Sequence, residues 1–270
     1  MQKRAPRNKS AIDKDVGDAD RVYGLMPVLE ALRAGHRTIE HITIAAGARH
    51  ERLRELLELA KAARVPVRRA PKIEIERSIG NTTHQGVVAR ITAARYADAD
   101  QLLDELAARA GTDQPPLALA LDGIEDPRNL GAILRTAECA GVQAVFTTER
   151  RAVGLTETVA KTAAGALEYV RVARVVNLSR LIEQLKERNI WAIGTAADAP
   201  LEYTEWDWKQ PTAIFLGGEG VGLHRLVRER CDALVRIPML GHLESLNVAV
   251  AAGVLLYEAQ RQRMTANKNS

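Results

Sequence analysis

The chain has 270 residues, 46% of them hydrophobic, which is enough for one large or two small domains with a proper core. Its net charge is only +4, but the cations cluster at Lys3, Arg4, Arg7 and Lys9 and again at Arg64, Arg68, Arg69 and Lys72, a distribution that suits a polyanionic partner. The sequence excludes a membrane-spanning helix, which needs roughly twenty apolar residues in a row, and a secretion signal, so a cytoplasmic protein is expected.

Residues 1–20 are polar, charged and aperiodic and read as a disordered basic tail. Asp13, Asp15, Asp18 and Asp20 make that leader too acidic for an organelle transit peptide. From Tyr23 the pattern changes. Pro27 opens a helix that Gly35 ends, an alternating strand runs over Ile39–Ala45, and Leu53, Leu56, Leu57 and Ala60 recur at helical spacing within 49–64. A strand at 65–67, a short helix at 72–78 and a strand at 86–91 complete a small α/β unit over 21–95. His84, in the polar loop 81–86, reads as a residue capping backbone groups rather than as a chemical participant.

A helix is predicted over 98–110, and Gly111-Thr-Asp-Gln-Pro-Pro116 is the clearest break in the chain, so 96–116 is taken as a linker between the first unit and a second over 117–265. In the second unit, predicted strands at 117–122, 144–147, 169–173, 190–195, 213–216 and 233–237 alternate with helical segments. That alternation implies a mainly parallel sheet, and general rules predict an unknotted, doubly wound arrangement. Cys139, in an apolar helix pattern, and Cys231, before a strand, read as core packing in a reducing compartment. The six histidines form no ligand-spaced cluster, so no metal is expected.

Three stretches repeat one plan of strand, polar loop and helix: 117–141 with Asp-Pro-Arg-Asn129, 214–223 with Gly217, Gly218, Gly220 and Gly222 around Glu219, and 237–258 with Ser245-Leu-Asn247 ahead of an apolar helix. Ser245 sits where an N-cap is expected. Glycines between a strand and a helix permit close approach of a ligand, although a single such cluster is equally well a tight turn.

In order, DPRNLGAILRTAECAG, FLGGEGVGL and IPMLGHLESLNVAVAAGVLLYE resemble the three motifs of the SpoU family of RNA ribose 2′-O-methyltransferases, in the SPOUT superfamily. The likeness spans roughly 117–263, and Val22-Tyr-Gly and His84-Gln-Gly-Val-Val are similar to the branch that acts on guanosine of bacterial 23S ribosomal RNA. The resemblance implies a trefoil-knotted methyltransferase domain whose last helix passes through a loop near 214–222. It also implies a ribosomal-protein-like RNA-binding domain before it, S-adenosylmethionine as cofactor and a homodimer completing the site, with the segment around 157–165, including Lys161, against RNA or the partner subunit.

Residue by residue, the resemblance places Gly217, Ile237 and Leu246 at the cofactor, with Thr195 beside them, and Arg135, Asn129, Glu219, Ser245 and Asn247 at the reaction. Arg135 is expected to stabilise charge on the 2′-oxygen, because a guanidinium is effectively never deprotonated in a protein. Its ordinary alternative is an i,i+3 pair with Glu138 on a solvated face. Asn129 is expected to orient the hydroxyl or a neighbouring phosphate, and Glu219 to accept a proton or fix Asn129. Competing readings are a transfer-RNA or antibiotic-resistance rRNA methyltransferase and a non-catalytic RNA-binding assembly protein of the same fold. A nucleotide-dependent oxidoreductase is disfavoured because Gly218-x-Gly220-x-Gly222 lies late in its domain, and no phosphate-loop motif is present.

Overall fold

Two separate sets of apolar side chains divide the strands between two sheets. The computed structural model describes residues 20–79 and 84–268; the expected basic tail and the tip of the polar loop before His84 lie outside them. The first sheet contains β1 (Asp20–Tyr23), β2 (Ile39–Ala45), β3 (Val67–Ala70) and β4 (Val87–Ile91), in the order β1-β4-β2-β3. On one face Val22, Ile42, Ile44, Val87, Ala89 and Ile91 are buried beneath helices α1 (Leu25–Ala34) and α2 (Leu53–Ala62). On the other, Tyr23, Ala45 and Val88 pack against Ile75 of helix α3 (Lys72–Ile79), and Thr43 and Ala70 are buried as well. Helix α1 ends as its sequence dictates, with Gly35 in the left-handed region at φ 65° and its N–H on the Ala31 carbonyl.

The second unit begins with α4 (Ala99–Ala110), whose first turn is capped by Asp98 Oδ1 at 2.8 Å from the Gln101 N–H. It continues through β5 (Leu117–Asp122), α5 (Pro127–Cys139), β6 (Ala144–Thr148), α6 (Glu157–Thr162), β7 (Val172–Val175), α7 (Leu178–Lys186), β8 (Trp191–Thr195), β9 (Leu201–Glu202), β10 (Thr212–Gly217), α8 (Arg225–Arg230), β11 (Ala233–Arg236) and α9 (Val248–Lys268). The strand order is β7-β6-β5-β10-β8-β11-β9, with every pairing parallel. Strands β5 and β10 lie at the centre, covered on both faces, which explains why they read as unbroken apolar runs. Leu130, Ile133 and Leu134 of α5 and Leu255 and Leu256 of α9 pack one face; Leu102 and Leu106 of α4, Leu181 and Leu185 of α7 and Val227 of α8 pack the other. The helix inside the expected linker is therefore part of the second unit's core.

Some local readings are corrected. Residues 166–168 form a 3-10 turn and β7 starts at Val172, so Tyr169 lies outside the strand and is 45% exposed. The two-residue β9 has too little sequence to give a signal. Cys139 is exposed rather than in the core, while burial pushes the half-buried Cys231 thiol up to about 12. Ser245 does not cap the last helix: Asn247 Oδ1 accepts from the Ala249 and Val250 N–H groups at 3.0 and 3.4 Å.

Among the described residues, specific side-chain contacts join the two units. Arg37 Nη1 pairs with Glu168 Oε1 at 2.9 Å, both side chains almost wholly buried. Tyr169 donates its hydroxyl to Glu30 at 2.8 Å, and Lys161 Nζ of α6 lies 5.1 Å from the centre of the Tyr23 ring. In this chain the 157–165 segment thus packs on the first unit.

Helix α5 approaches α6 closely only because residue 131 is glycine. A Cβ there would lie 2.6 Å from Thr162 Cβ and 2.9 Å from the Val159 carbonyl oxygen. Gly131→Ala gains about 1 kcal/mol of helix propensity but meets an overpacking cost of about 1–3 kcal/mol, so a net loss is expected. Denaturant unfolding of the variant checks this, with a lower midpoint at unchanged slope as the expected result.

Candidate active site

Because β5, β10, β8 and β11 run parallel, the loops that follow them gather at one edge of the sheet, where ligands of open α/β sheets bind. After β5, Asp126 caps α5 through Oδ1 at 2.7 Å from the Arg128 N–H, and Pro127 occupies the first helical position. That geometry turns Asn129 inward. After β10 the glycines are required for different reasons. A Cβ on Gly217 would lie 1.9 Å from the Gly222 carbonyl carbon, and one on Gly218 would lie 2.4 Å from the Gly123 carbonyl oxygen. Gly220 and Gly222 have φ values of 82° and 67°.

The folded-back loop holds Glu219 between the other two motifs. Asn129 Nδ2 donates to Glu219 Oε1 at 3.0 Å, and Asn247 Nδ2 donates to the same oxygen at 2.8 Å and to Asn129 Oδ1 at 2.9 Å. Three of the five expected reaction residues therefore form one hydrogen-bonded triangle. Beside it opens a cavity of about 780 Å³ lined by Thr195, Gly217, Ile237, Leu246 and Ser245, which gathers all four expected cofactor residues. Thr195 spends its hydroxyl proton on the Phe215 carbonyl at 3.1 Å, leaving it only an acceptor for a ligand.

Arg135 is not brought into this group. It is exposed, lines neither the 780 Å³ cavity nor its neighbour, and makes no hydrogen bond or ion pair among the described residues, Glu138 included. Helix geometry explains the separation: six residues beyond Asn129 means about 9 Å along the axis and roughly 120° around it.

A second cavity of about 440 Å³ shares Gly218 and Glu219 with the first and adds Asp122, Asn129, Arg151 and His224. The buried Asp122 carboxylate accepts the His224 backbone N–H at 2.8 Å and faces His224 Nδ1 at 2.9 Å. Sequence reasoning missed this pair. Asp122 was visible only as the last residue of an apolar strand, and nothing in spacing links it to His224, 102 positions on. His84 is buried, and its Nδ1 accepts the Gly86 N–H at 3.0 Å, the capping role read from its loop. Among the described residues no group of three or more His, Cys, Asp or Glu side chains is placed to hold a metal ion, and no helix is long and apolar enough to cross a membrane.

The SpoU rRNA methylase family model matches residues 116–257, and the model for RNA 2′-O ribose methyltransferase substrate binding matches residues 21–97. The chain belongs to the SpoU rRNA methylase family. It is 45% identical over 243 residues, 90% of this chain and 95% of the relative, to the 23S rRNA (guanosine-2′-O-)-methyltransferase RlmB of Ralstonia nicotianae. Its fold is similar to a crystal structure of an RNA 2′-O ribose methyltransferase, with TM-score 0.78, 28% identity and coverage of 93% and 91% of the two chains. It is likewise similar to the AdoMet-bound rRNA methyltransferase of Sinorhizobium meliloti, with TM-score 0.73, 26% identity and coverage of 90% and 87%. As a SpoU methylase, the chain is an S-adenosylmethionine-dependent RNA 2′-O-methyltransferase.

The residues present fit that cofactor. The cavity lies in the size range of small-molecule sites, its wall combines aliphatic Leu216, Ile237 and Met239 with the carboxylates of Asp198 and Glu244, and a side chain at Gly217 would close the loop that frames it.

Asn247 both caps α9 and bridges the triangle, and two substitutions separate these functions. Asn247→Ala is expected to lose about 1 kcal/mol with the cap, whereas Asn247→Ser retains most of the stability because serine caps nearly as well. Both lose the amide donors to Asn129 and Glu219. Unfolding midpoints of the pair, compared with wild type, check the ordering.

Proposed function

We propose that the chain transfers a methyl group to the 2′-hydroxyl of a guanosine ribose in 23S ribosomal RNA and that it does so in the cytoplasm, where that RNA resides. The observation that carries this reading is the meeting of Asn129, Glu219 and Asn247 beside a cavity framed by Gly217, Ile237 and Leu246, in a chain whose first unit matches a substrate-binding model. The named activity of the Ralstonia relative supports the choice of target. Loss of one 2′-O-methylguanosine from 23S rRNA in a deletion strain, restored by the gene on a plasmid, is the expected result of mass-spectrometric mapping. Intact 23S methylation with a ribose methyl missing from transfer RNA would overturn the target.

Bound in the cavity, S-adenosylmethionine supplies an electrophilic methyl group. Gly217, Ile237 and Leu246 hold it, with Thr195 as an accepting neighbour and Ser245 at the rim. The chain's own residues must then orient a weakly acidic hydroxyl and stabilise the charge that develops on its oxygen. Glu219 has one carboxylate oxygen occupied by both asparagine amides, and the other makes no hydrogen bond among the described residues. That second oxygen is available to accept the hydroxyl hydrogen, while Asn129 keeps the carboxylate aimed. Arg135 provides the permanent positive charge beside the acceptor oxygen.

Arg135 lies away from the cavity of its own chain, so it serves the site of a second copy. The exposed surface supports a homodimer: Val250, Tyr257 and Met264 are 52, 56 and 61% exposed and recur every seven residues along α9, beside the helix that bears Arg135. The passage of α9 through the loop near 214–222 belongs to the same inference, supported by the contact of Asn247 with Glu219 and of α9 with β10.

Arg135→Ala and Glu219→Ala are each expected to abolish methyl transfer while Arg135→Ala leaves cofactor affinity within severalfold. Co-expressed, the two variants form mixed dimers with one intact site, restoring about a quarter of wild-type activity. Absence of any restoration, or a fully active monomer by sedimentation, would remove the shared site.

A further inference from the structure

The face of the first sheet that α3 leaves open carries an aligned row of cations. On β1, Val22 is buried beneath α1 and α2 and Tyr23 points to the α3 side, so Arg21 shares the face of Tyr23. The register sets Arg21 directly opposite Arg90 on β4, Arg90 opposite His41 on β2, and Thr43, next on the same face of β2, opposite Arg68 on β3. The row therefore crosses all four strands. Arg68 Nε donates to Thr43 Oγ1 at 2.8 Å, which holds its stem flat against the sheet. Glu40, the extra residue at the irregularity between Ile39 and His41, reaches Arg90 Nε at 2.9 Å.

Like charges opposite one another on a sheet destabilise it, and nothing in the core of the first unit requires these arginines. Burial, with Arg68 and then Arg90 nearby, holds the His41 imidazole below its ordinary value, so at neutral pH it presents an uncharged ring between guanidinium groups. Guanidinium groups flanking a neutral aromatic ring suit phosphodiester contacts on either side of a stacked, unpaired base. The row also points toward the catalytic unit: β1 packs against α6, where Lys161 lies over Tyr23, and α6 packs against α5, which bears Asn129.

We propose that this open sheet face, with Arg21, Arg68 and Arg90 as phosphate contacts and His41 as a base-stacking ring, is the surface on which the substrate RNA docks. The helical face of the same unit, where α1 and α2 cover the core, is not part of that surface. The proposal rests on the reading of the chain as an RNA methyltransferase and specifies which surface of its first unit engages the RNA.

The test uses the full-length protein and a 23S rRNA transcript, measuring affinity across a salt series, cofactor binding by calorimetry and methyl transfer. For Arg68→Ala combined with Arg90→Ala, affinity is expected to fall about tenfold or more at near-physiological salt. The slope of log affinity against log salt should decrease by about 1 for each arginine removed. His41→Ala should weaken binding without changing that slope, and Lys209→Ala, at the opposite edge of the other sheet, should change neither. Unchanged affinity and slope in the double variant, with cofactor binding intact, would overturn the face. If wild type binds the transcript but does not methylate it while the variants still lose affinity, the target assignment fails and the face stands. If wild type has no affinity for the transcript, both fail.

Discussion

The site depends on one carboxylate oxygen that receives two amide N–H groups. Asn129, Glu219 and Asn247 are up to 118 positions apart; the β5–β10 ladder, which ends at Asp122 and Gly217, brings the first two loops together, and side-chain hydrogen bonds then fix the three side chains relative to one another. The arrangement is determined rather than merely permitted. Asn247 must turn Oδ1 toward the first N–H groups of α9 to cap it, which leaves Nδ2 facing Glu219 and Asn129. Asn129 then has one orientation that both accepts from Asn247 and donates to Glu219. A helix cap thus fixes the rotamer of an amide in the candidate site, so the stability of the last helix and the geometry of that triangle are one constraint.

The backbone beneath the triangle meets the same demand. At Gly217 and Gly218 the glycines are required by contact, because the loop doubles back within 2.3 Å of where a Cβ would stand and rests on the Gly123 carbonyl; at Gly220 and Gly222 they are required by conformation. A loop this tight offers few conformations, which restricts where the Glu219 carboxyl can be. Burial of Asp122 beneath it adds a further anchor, since that carboxylate accepts the His224 N–H and its own carbonyl accepts the Gly218 N–H at 2.8 Å.

Much of this was legible because the physics is local. Apolar runs and period-3.6 patterns mark most of the strands and the helices α1 to α5 and α9, punctuated by Gly35, Pro127 and the break at 111–116, whereas β1 at Asp20–Tyr23 is too short and polar to stand out. The resemblance to the SpoU motifs is what marks Gly217, Glu219 and Asn247 as a group; the strand, glycine loop and helix plan alone is equally well a set of tight turns. What escaped depends on long-range contacts. The Asp122–His224 pair spans 102 residues, β9 is two residues long, and the cap of α9, read at Ser245, falls on Asn247 because the helix starts only at Val248. Cys139 was misplaced for a different reason: it sits in an apolar stretch but on the outer arc of α5, where a single-residue rotation decides burial.

The junction between the two units follows another logic. A buried ion pair such as Arg37–Glu168 gives little net stability, because each charge must be stripped of water, and burial accordingly pushes the Glu168 carboxyl upward despite the guanidinium beside it. Such a pair is better suited to selecting one orientation, since any displaced arrangement strands a charge without its partner. Tyr169 on Glu30 and Lys161 over Tyr23 act in the same sense at neighbouring points of the seam. Gly165, at φ 103°, lets the chain pass where a Cβ would lie 2.5 Å from the Glu30 side chain. The contacts described across the seam are polar, and they hold the first unit at a set angle to the helix that carries Asn129. An RNA held on the first unit can reach the catalytic edge only if that angle is right, so residues far from any reacting atom help determine which nucleotide arrives there.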